Sequence, residues 1–174
     1  MCSIYPAWKW TWLDQEKVRR FFSQEKKLCN IFGRFLEEGF TGLVWYHGDT
    51  WVSYAWMSLP ETAGPWHLPR NIRKLPVYWI FYCRTKHEYQ RQGLFKASLN
   101  LFCQWAREKD HNARIYIDTT PENIPSRQAI KSIGFLPAGI ITTLYLGLPK
   151  VSWILWGKWD KKAPHPRMPE ETDL

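Results

Sequence analysis

The chain has 174 residues, the length of one ordinary domain, and its 45% hydrophobic and 17% aromatic content excludes a disordered protein. The formal net charge of +8 favours anionic partners: nucleic acid, an acidic surface or a phosphorylated cofactor. Cys2, Cys29, Cys83 and Cys103 form no CxxC pair and no metal-ligand spacing, so reduced thiols, no metal and a cytoplasmic location are expected. Residues 1–12 lack the continuous apolar core of a signal peptide, and no stretch approaches the length of a membrane span.

In chain order, residues 4–12 alternate weakly, as in a short edge strand. Asp14 reads as a helix N-cap, with Lys17 to Phe22 following at helical spacing. A second helix is expected over 24–38, where Leu28, Ile31, Phe32 and Phe35 recur at i, i+3, i+4 and i+7 and Gly39 stands at the C-cap. The period then changes. Residues 41–46 and 51–59 read as strands joined by a hairpin at His47-Gly48-Asp49-Thr50. Residues 60–76, with Pro60, Pro65, Pro69 and Pro76, form a loop long enough to suggest a functional role. Residues 77–83 are almost wholly apolar, as a central strand covered on both faces requires.

A helix over 93–108 places Leu94, Ala97, Leu101 and Trp105 on one stripe. A strand over 113–119, a short helix over 126–133 ended by Gly134, and strands over 135–146 and 151–159 complete the order. The reading is α/β: one domain over 1–160 with a mixed sheet of six to seven strands and about four helices, then a disordered tail over 161–174. Basic runs occur at 17–20, 70–74 and 158–162.

The chemistry concentrates where the buried strand 77–83 feeds a helix near Gly93. A helix start after a strand offers unpaired N–H groups and a favourable dipole to an anion. The local sequence His87-Glu88-Tyr89-Gln90-Arg91-Gln92-Gly93-Leu94-Phe95-Lys96 adds a flexible glycine and two cations. Behind the next strand comes Asn123-Ile124-Pro125-Ser126-Arg127, running on to Gly134-Phe135.

In this order the two segments resemble the GNAT acetyltransferase superfamily. Gln90-Arg91-Gln92-Gly93-Leu94-Phe95 is similar to its Gln/Arg-x-x-Gly-x-Gly/Ala segment, with Phe95 where a small residue is usual. Asn123, Ser126 and Gly134-Phe135 match its second motif. The resemblance implies acetyl-CoA or another acyl-CoA as cofactor. Backbone groups of Cys83 and Thr85 would pair with the pantetheine arm, and amides from Gln90 to Lys96 would hold the pyrophosphate. Asn123 would contact the pantetheine, and Ser126 or Arg127 the cofactor's far end. It implies direct acyl transfer to a primary amine. Where many members carry a tyrosine that protonates the leaving thiolate, this chain has Ile130, which has no proton to give.

Direct transfer needs a base for the amine, a donor for the thioester carbonyl and a proton for the thiolate. Asp118 and Glu88 are the candidate bases, and Tyr116, Tyr145 and Ser132 the candidate proton donors. Cys83 reads as inert strand packing, which argues against an acyl-cysteine route. The hairpin aromatics Trp45, Tyr54 and Trp56, with Trp66 in the long loop, would shape an acceptor pocket for a small-molecule or peptide amine. Two alternatives stand beside this. One is an acceptor amine carried on nucleic acid, met by Arg70, Arg73 and Lys74. The other is an acyl-CoA-binding module without turnover. A monomer or homodimer is expected, with no membrane partner.

Overall fold

The computed structural model describes residues 8–148 and 151–164. They form two compact units: residues 8–63 with 76–118, and residues 64–75 with the described residues from 119 onward. The N-terminal residues 1–7, with Cys2, and most of the expected tail lie outside the described residues.

In the first unit β1 (Lys9–Trp12) leads into α1 (Gln15–Phe22). Asp14 caps this helix as the sequence suggests: its Oδ1 accepts from the Lys17 amide at 2.8 Å. The helix α2 (Lys26–Glu37) buries Leu28, Phe32 and Phe35. It ends where Gly39 takes φ +82° and the Phe40 amide returns to the Phe35 carbonyl at 2.9 Å, a Schellman closure. The strands β2 (Thr41–His47) and β3 (Thr50–Ser58) are joined by Gly48-Asp49.

Next come β4 (Tyr78–Thr85), a 3-10 turn (His87–Tyr89), α4 (Leu94–Lys109) and β5 (Ile115–Ile117). The sheet order is β1-β2-β3-β4-β5, antiparallel up to β4 and parallel between β4 and β5. This is the mixed α/β arrangement expected, with five strands in this sheet.

Aromatic rings hold both faces. On one, Phe32 meets Phe22, Tyr54 and Trp56 at centroid distances of 4.7, 4.9 and 5.1 Å. Truncating a ring packed in this way typically costs about 3–5 kcal/mol. On the other face α4 packs through Phe102 and Trp105 on Trp12, and Trp45 Nε1 donates to Ser98 Oγ at 2.9 Å. The buried stripe of α4 is Leu94, Ser98, Leu99, Phe102 and Ala106, turned from the expected one: the apolar set Leu94, Leu99, Phe102 and Ala106 is buried, and Ser98 among it accepts from Trp45 Nε1.

The second unit holds α3 (Arg70–Arg73), α5 (Ile124–Ser132) and a hairpin of β6 (Ile140–Leu148) and β7 (Val151–Asp160). The long proline-rich loop thus contains one helical turn, anchored by buried Leu68 and Ile72. The Arg73 guanidinium donates to the Gly64 carbonyl at 2.9 Å and closes it. Among the described residues no helix is long and apolar enough to cross a membrane.

Candidate active site

The sheet changes character along β4. Up to Ile80 it is paired on both sides, with Tyr78, Trp79 and Ile80 opposite Ile115, Tyr116 and Ile117. There β5 ends, while β4 runs on to Thr85. Among the described residues, 81–85 therefore keep β3 on one edge and have no paired strand on the other. An open strand edge offers backbone donors and acceptors to whatever lies beside it.

The same stretch carries a bulge. From Tyr54 to Trp56 on β3, the partner on β4 moves from Arg84 to Phe81, so β4 holds one extra residue. Tyr82 sits there at φ +48°, a conformation rare outside glycine. Beyond the bulge the Ser53 hydroxyl pins the strand, donating to the Arg84 carbonyl at 3.1 Å and bonding Thr85 Oγ1 at 2.8 Å.

The chain enters α4 through two more left-handed residues, Arg91 at φ +62° and Gly93 at φ +79°. No atom lies within 4 Å of a Cβ built on Gly93, so the turn needs glycine for its backbone angle rather than for space. The first bond of the helix runs from the Ala97 amide to the Gly93 carbonyl at 2.9 Å. The amides of Leu94, Phe95 and Lys96 thus have no intrahelical acceptor. Arg91 and Lys96 are exposed at this end, where positive charge and helix dipole add. Gln90 Nε2 reaches the Thr85 carbonyl and Gln92 Nε2 the Glu88 carbonyl, each at 3.4 Å, which ties the turn to the strand. A row of unpaired strand groups followed by a cationic helix start suits a long ligand with phosphates at one end.

Asp118 stands just past β5, and its Oδ1 accepts from Trp79 Nε1 at 2.6 Å. Tyr116 stacks on the same indole at 5.4 Å. Two of the three catalytic candidates are therefore brought together where β4 and β5 part. Glu88 is exposed in the 3-10 turn. Burial pushes the Cys83 thiol up to about 12, and the Asp118 charge adds to the rise, so the sulfur keeps its proton at neutral pH.

Within the second unit Asn123 caps α5, its Oδ1 accepting from the Ser126 amide at 3.3 Å, and Arg127 Nη1 donates to the Pro121 carbonyl at 3.0 Å. Ser132 is spent on the Ala129 carbonyl at 2.8 Å. The side chain of Tyr145 lies outside the described residues.

The expected aromatic wall is corrected. Tyr54 and Trp56 are 2% and 0% exposed and belong to the core under α2, whereas Trp45 points to the opposite face and binds α4. Trp66 is exposed in the second unit. The cause is the two-residue period of β-strands combined with a bulge in β3 between Trp51 and Ser53, which residue type does not reveal.

A sequence profile of the acetyltransferase (GNAT) family matches residues 3–135. The chain belongs to this family. As a GNAT acetyltransferase it shares its fold with several solved structures. AAC(6')-Iy, in complex with the bisubstrate analogue CoA-S-monomethyl-acetylneamine, is 15% identical with a TM-score of 0.55, covering 75% of this chain and 92% of its own. The aminoglycoside 6'-N-acetyltransferase AAC(6')-Ih from Acinetobacter baumannii is 11% identical with a TM-score of 0.59, covering 82% and 99%. The ribosomal-protein-alanine N-acetyltransferase from Brucella melitensis biovar Abortus 2308 is 11% identical with a TM-score of 0.53, covering 75% and 93%. No curated protein matches the sequence.

Sequence reasoning missed Tyr82 and Trp79. Nothing marks a tyrosine for a left-handed bulge, and Trp79 reads only as one more apolar strand residue. It also missed Glu25, whose carboxylate accepts from Trp51 Nε1 at 2.6 Å on the Tyr54 side of the sheet.

Proposed function

We propose that this GNAT acetyltransferase moves an acetyl group from acetyl-CoA to a primary amine of a small molecule or peptide by direct attack. The observation that carries the reading is the open edge of β4 past Ile80, running into the amino end of α4. The backbone at Cys83 and Thr85 pairs with the pantetheine arm. The amides from Gln90 to Lys96, with the Arg91 charge, hold the pyrophosphate. Asn123, Ser126 and Arg127 keep the cofactor role that the family motif implies. Bound acetyl-CoA supplies the acyl group as an activated thioester.

Asp118 takes the proton of the amine. It is preferred to Glu88 because Trp79 orients its carboxylate, as a base must be oriented. A backbone N–H on the open edge polarises the carbonyl. Tyr116, next to Asp118, supplies a proton to the departing sulfur where Ile130 has none. An amine acceptor agrees with solved neighbours that include an aminoglycoside 6'-N-acetyltransferase and a ribosomal-protein-alanine N-acetyltransferase.

Thermal unfolding with and without acetyl-CoA, followed by thiol release over a panel of amines, tests this. At a ligand concentration 100-fold above Kd the stabilisation is about 2.7 kcal/mol, a rise in Tm of about 5–10 °C for a chain of this size. No shift with any acyl-CoA would sink the reading. A shift without transfer to any amine would remove the roles given to Asp118 and Tyr116.

A further inference from the structure

Two of the three basic runs in the sequence meet in the second unit. A cavity of about 480 Å³ is lined on one side by Asn71, Ile72 and Leu75 of the α3 segment. Its other side is Trp156, Lys158 and Lys161, on and just after β7. This volume falls within the range of small-ligand sites, about 300–1,000 Å³. Arg70 and Lys74 bracket the α3 side and are exposed.

Among the described residues of this unit the charge is unbalanced. Between residues 64 and 75 and between 119 and 164 the only acidic side chains are Glu122 and Asp160. The Asp160 carboxylate is turned back on the chain, where Oδ1 accepts from the Lys162 amide at 3.0 Å. Among the described residues the ion pairs are Lys17–Asp14 and Arg20–Asp49, and neither involves Arg70, Lys74, Lys158 or Lys161.

The lining also carries indole surface. Trp156 is 53% exposed, so much of its ring surface is open to a stacking partner. Trp159 is fixed by a bond from its Nε1 to the Ala138 carbonyl at 2.7 Å, and Lys161 Nζ lies 4.7 Å from its ring. Unpaired cations beside an exposed flat ring are the two elements of single-strand recognition: charge follows the phosphates, and the ring takes a base. A simple anion would need the cations alone, and a duplex would hide its base faces from the indole.

We propose that this cavity binds single-stranded nucleic acid, with a base stacked on Trp156 and flanking phosphates on Lys158, Lys161, Arg70 and Lys74. The lining shares no residue with those to which acetyl transfer is assigned, and the proposal does not depend on that activity.

The test uses the full chain and fluorescently labelled 15-mers of one mixed sequence, as single-stranded RNA, single-stranded DNA and duplex DNA, with inorganic polyphosphate as competitor. Fluorescence anisotropy should show tighter binding of the single strands than of the duplex. The RNA and DNA arms identify which sugar is preferred. The slope of log K against log salt should fall by about 0.7 for each lysine removed in Lys158→Gln and Lys161→Gln. Trp156→Ala should weaken binding about tenfold or more, while Trp156→Phe, which keeps a ring, should restore most of it. The acetyl-CoA thermal shift should be unchanged in all of these variants, which also reports that they fold. No binding at low salt overturns the proposal. So does binding that ignores the lysine variants, and so does equal affinity for single strand, duplex and polyphosphate with Trp156→Ala silent.

Discussion

The bond from Trp79 Nε1 to Asp118 accepts an amide oxygen as readily as a carboxylate, which makes Asp118→Asn an informative change. The variant should melt within a degree or two of the parent, yet lose about 10²–10⁴ in kcat/KM if the carboxylate is the base. The loss should be accompanied by disappearance of the acidic limb of the pH–rate profile, since a base fails as it is protonated. Unchanged kcat/KM would reduce Asp118 to an anchor for Trp79. Cys83 gives the opposite kind of prediction. Its ordinary value of 9.0 rises to about 12 in the folded protein through burial, and Tyr54 rises from 10.0 to about 12 for the same reason. Raised values mean that the folded state holds its protons longer. Stability from these groups is therefore intact below pH 9 and is lost as pH climbs from 9 towards 12. Urea midpoints measured at pH 8 and pH 10.5 should differ less in Cys83→Ala than in the parent. Activity at neutral pH should survive that substitution, because a thiol that stays protonated is no nucleophile.

The strand–turn–helix unit around Gly93 makes its own prediction. A Cβ there meets nothing within 4 Å, so Gly93→Ala should cost only the left-handed angle, about 1 kcal/mol, measured by denaturant unfolding. Gly93→Glu adds to this a negative charge at the helix start and should abolish the acetyl-CoA thermal shift. A shift retained in Gly93→Glu would move the phosphates elsewhere. This unit was legible in the sequence because each of its parts is marked by residue type: an apolar run, a polar turn, a glycine and an apolar stripe. Asp14, Gly39 and Gly48-Asp49 were legible for the same reason, since caps and turns select particular residues. The bulge at Tyr82 and the opposed faces of Trp45 and Trp56 were not. They are set by pairing between strands distant in sequence, and a one-residue change of register reverses every side chain after it. The pairing of β6 with β7 apart from the five-stranded sheet is likewise a matter of partner choice, which strand propensity does not contain.

Across the whole chain the charge of +8 reaches beyond any one pocket. Ionic strength should show it: raising salt from about 0.1 M to about 1 M shortens the screening length from about 10 Å to about 3 Å. The KM for acetyl-CoA should increase severalfold over that range with little change in kcat, and Arg91→Gln should flatten the dependence. A KM indifferent to salt would mean that the phosphates are held by backbone amides alone. The bulge in β4 has a reach of similar breadth. Phe81 and Arg84 share a sheet face although they stand an odd three positions apart, since their partners on β3 are Trp56 and Tyr54. Arg84 lies 6.0 Å from the Trp51 ring and Lys86 4.5 Å. The extra residue thus acts as a phase shift within one strand. Before it, even-numbered side chains look towards α4, and after it they look towards α1 and α2. Two cations are thereby delivered to the side where Glu25 and Tyr54 lie, while the odd-numbered Cys83 and Thr85 change sides the other way. Any descendant of this chain that loses one residue between Phe81 and Arg84 can keep its sheet and still exchange the chemistry of its two faces.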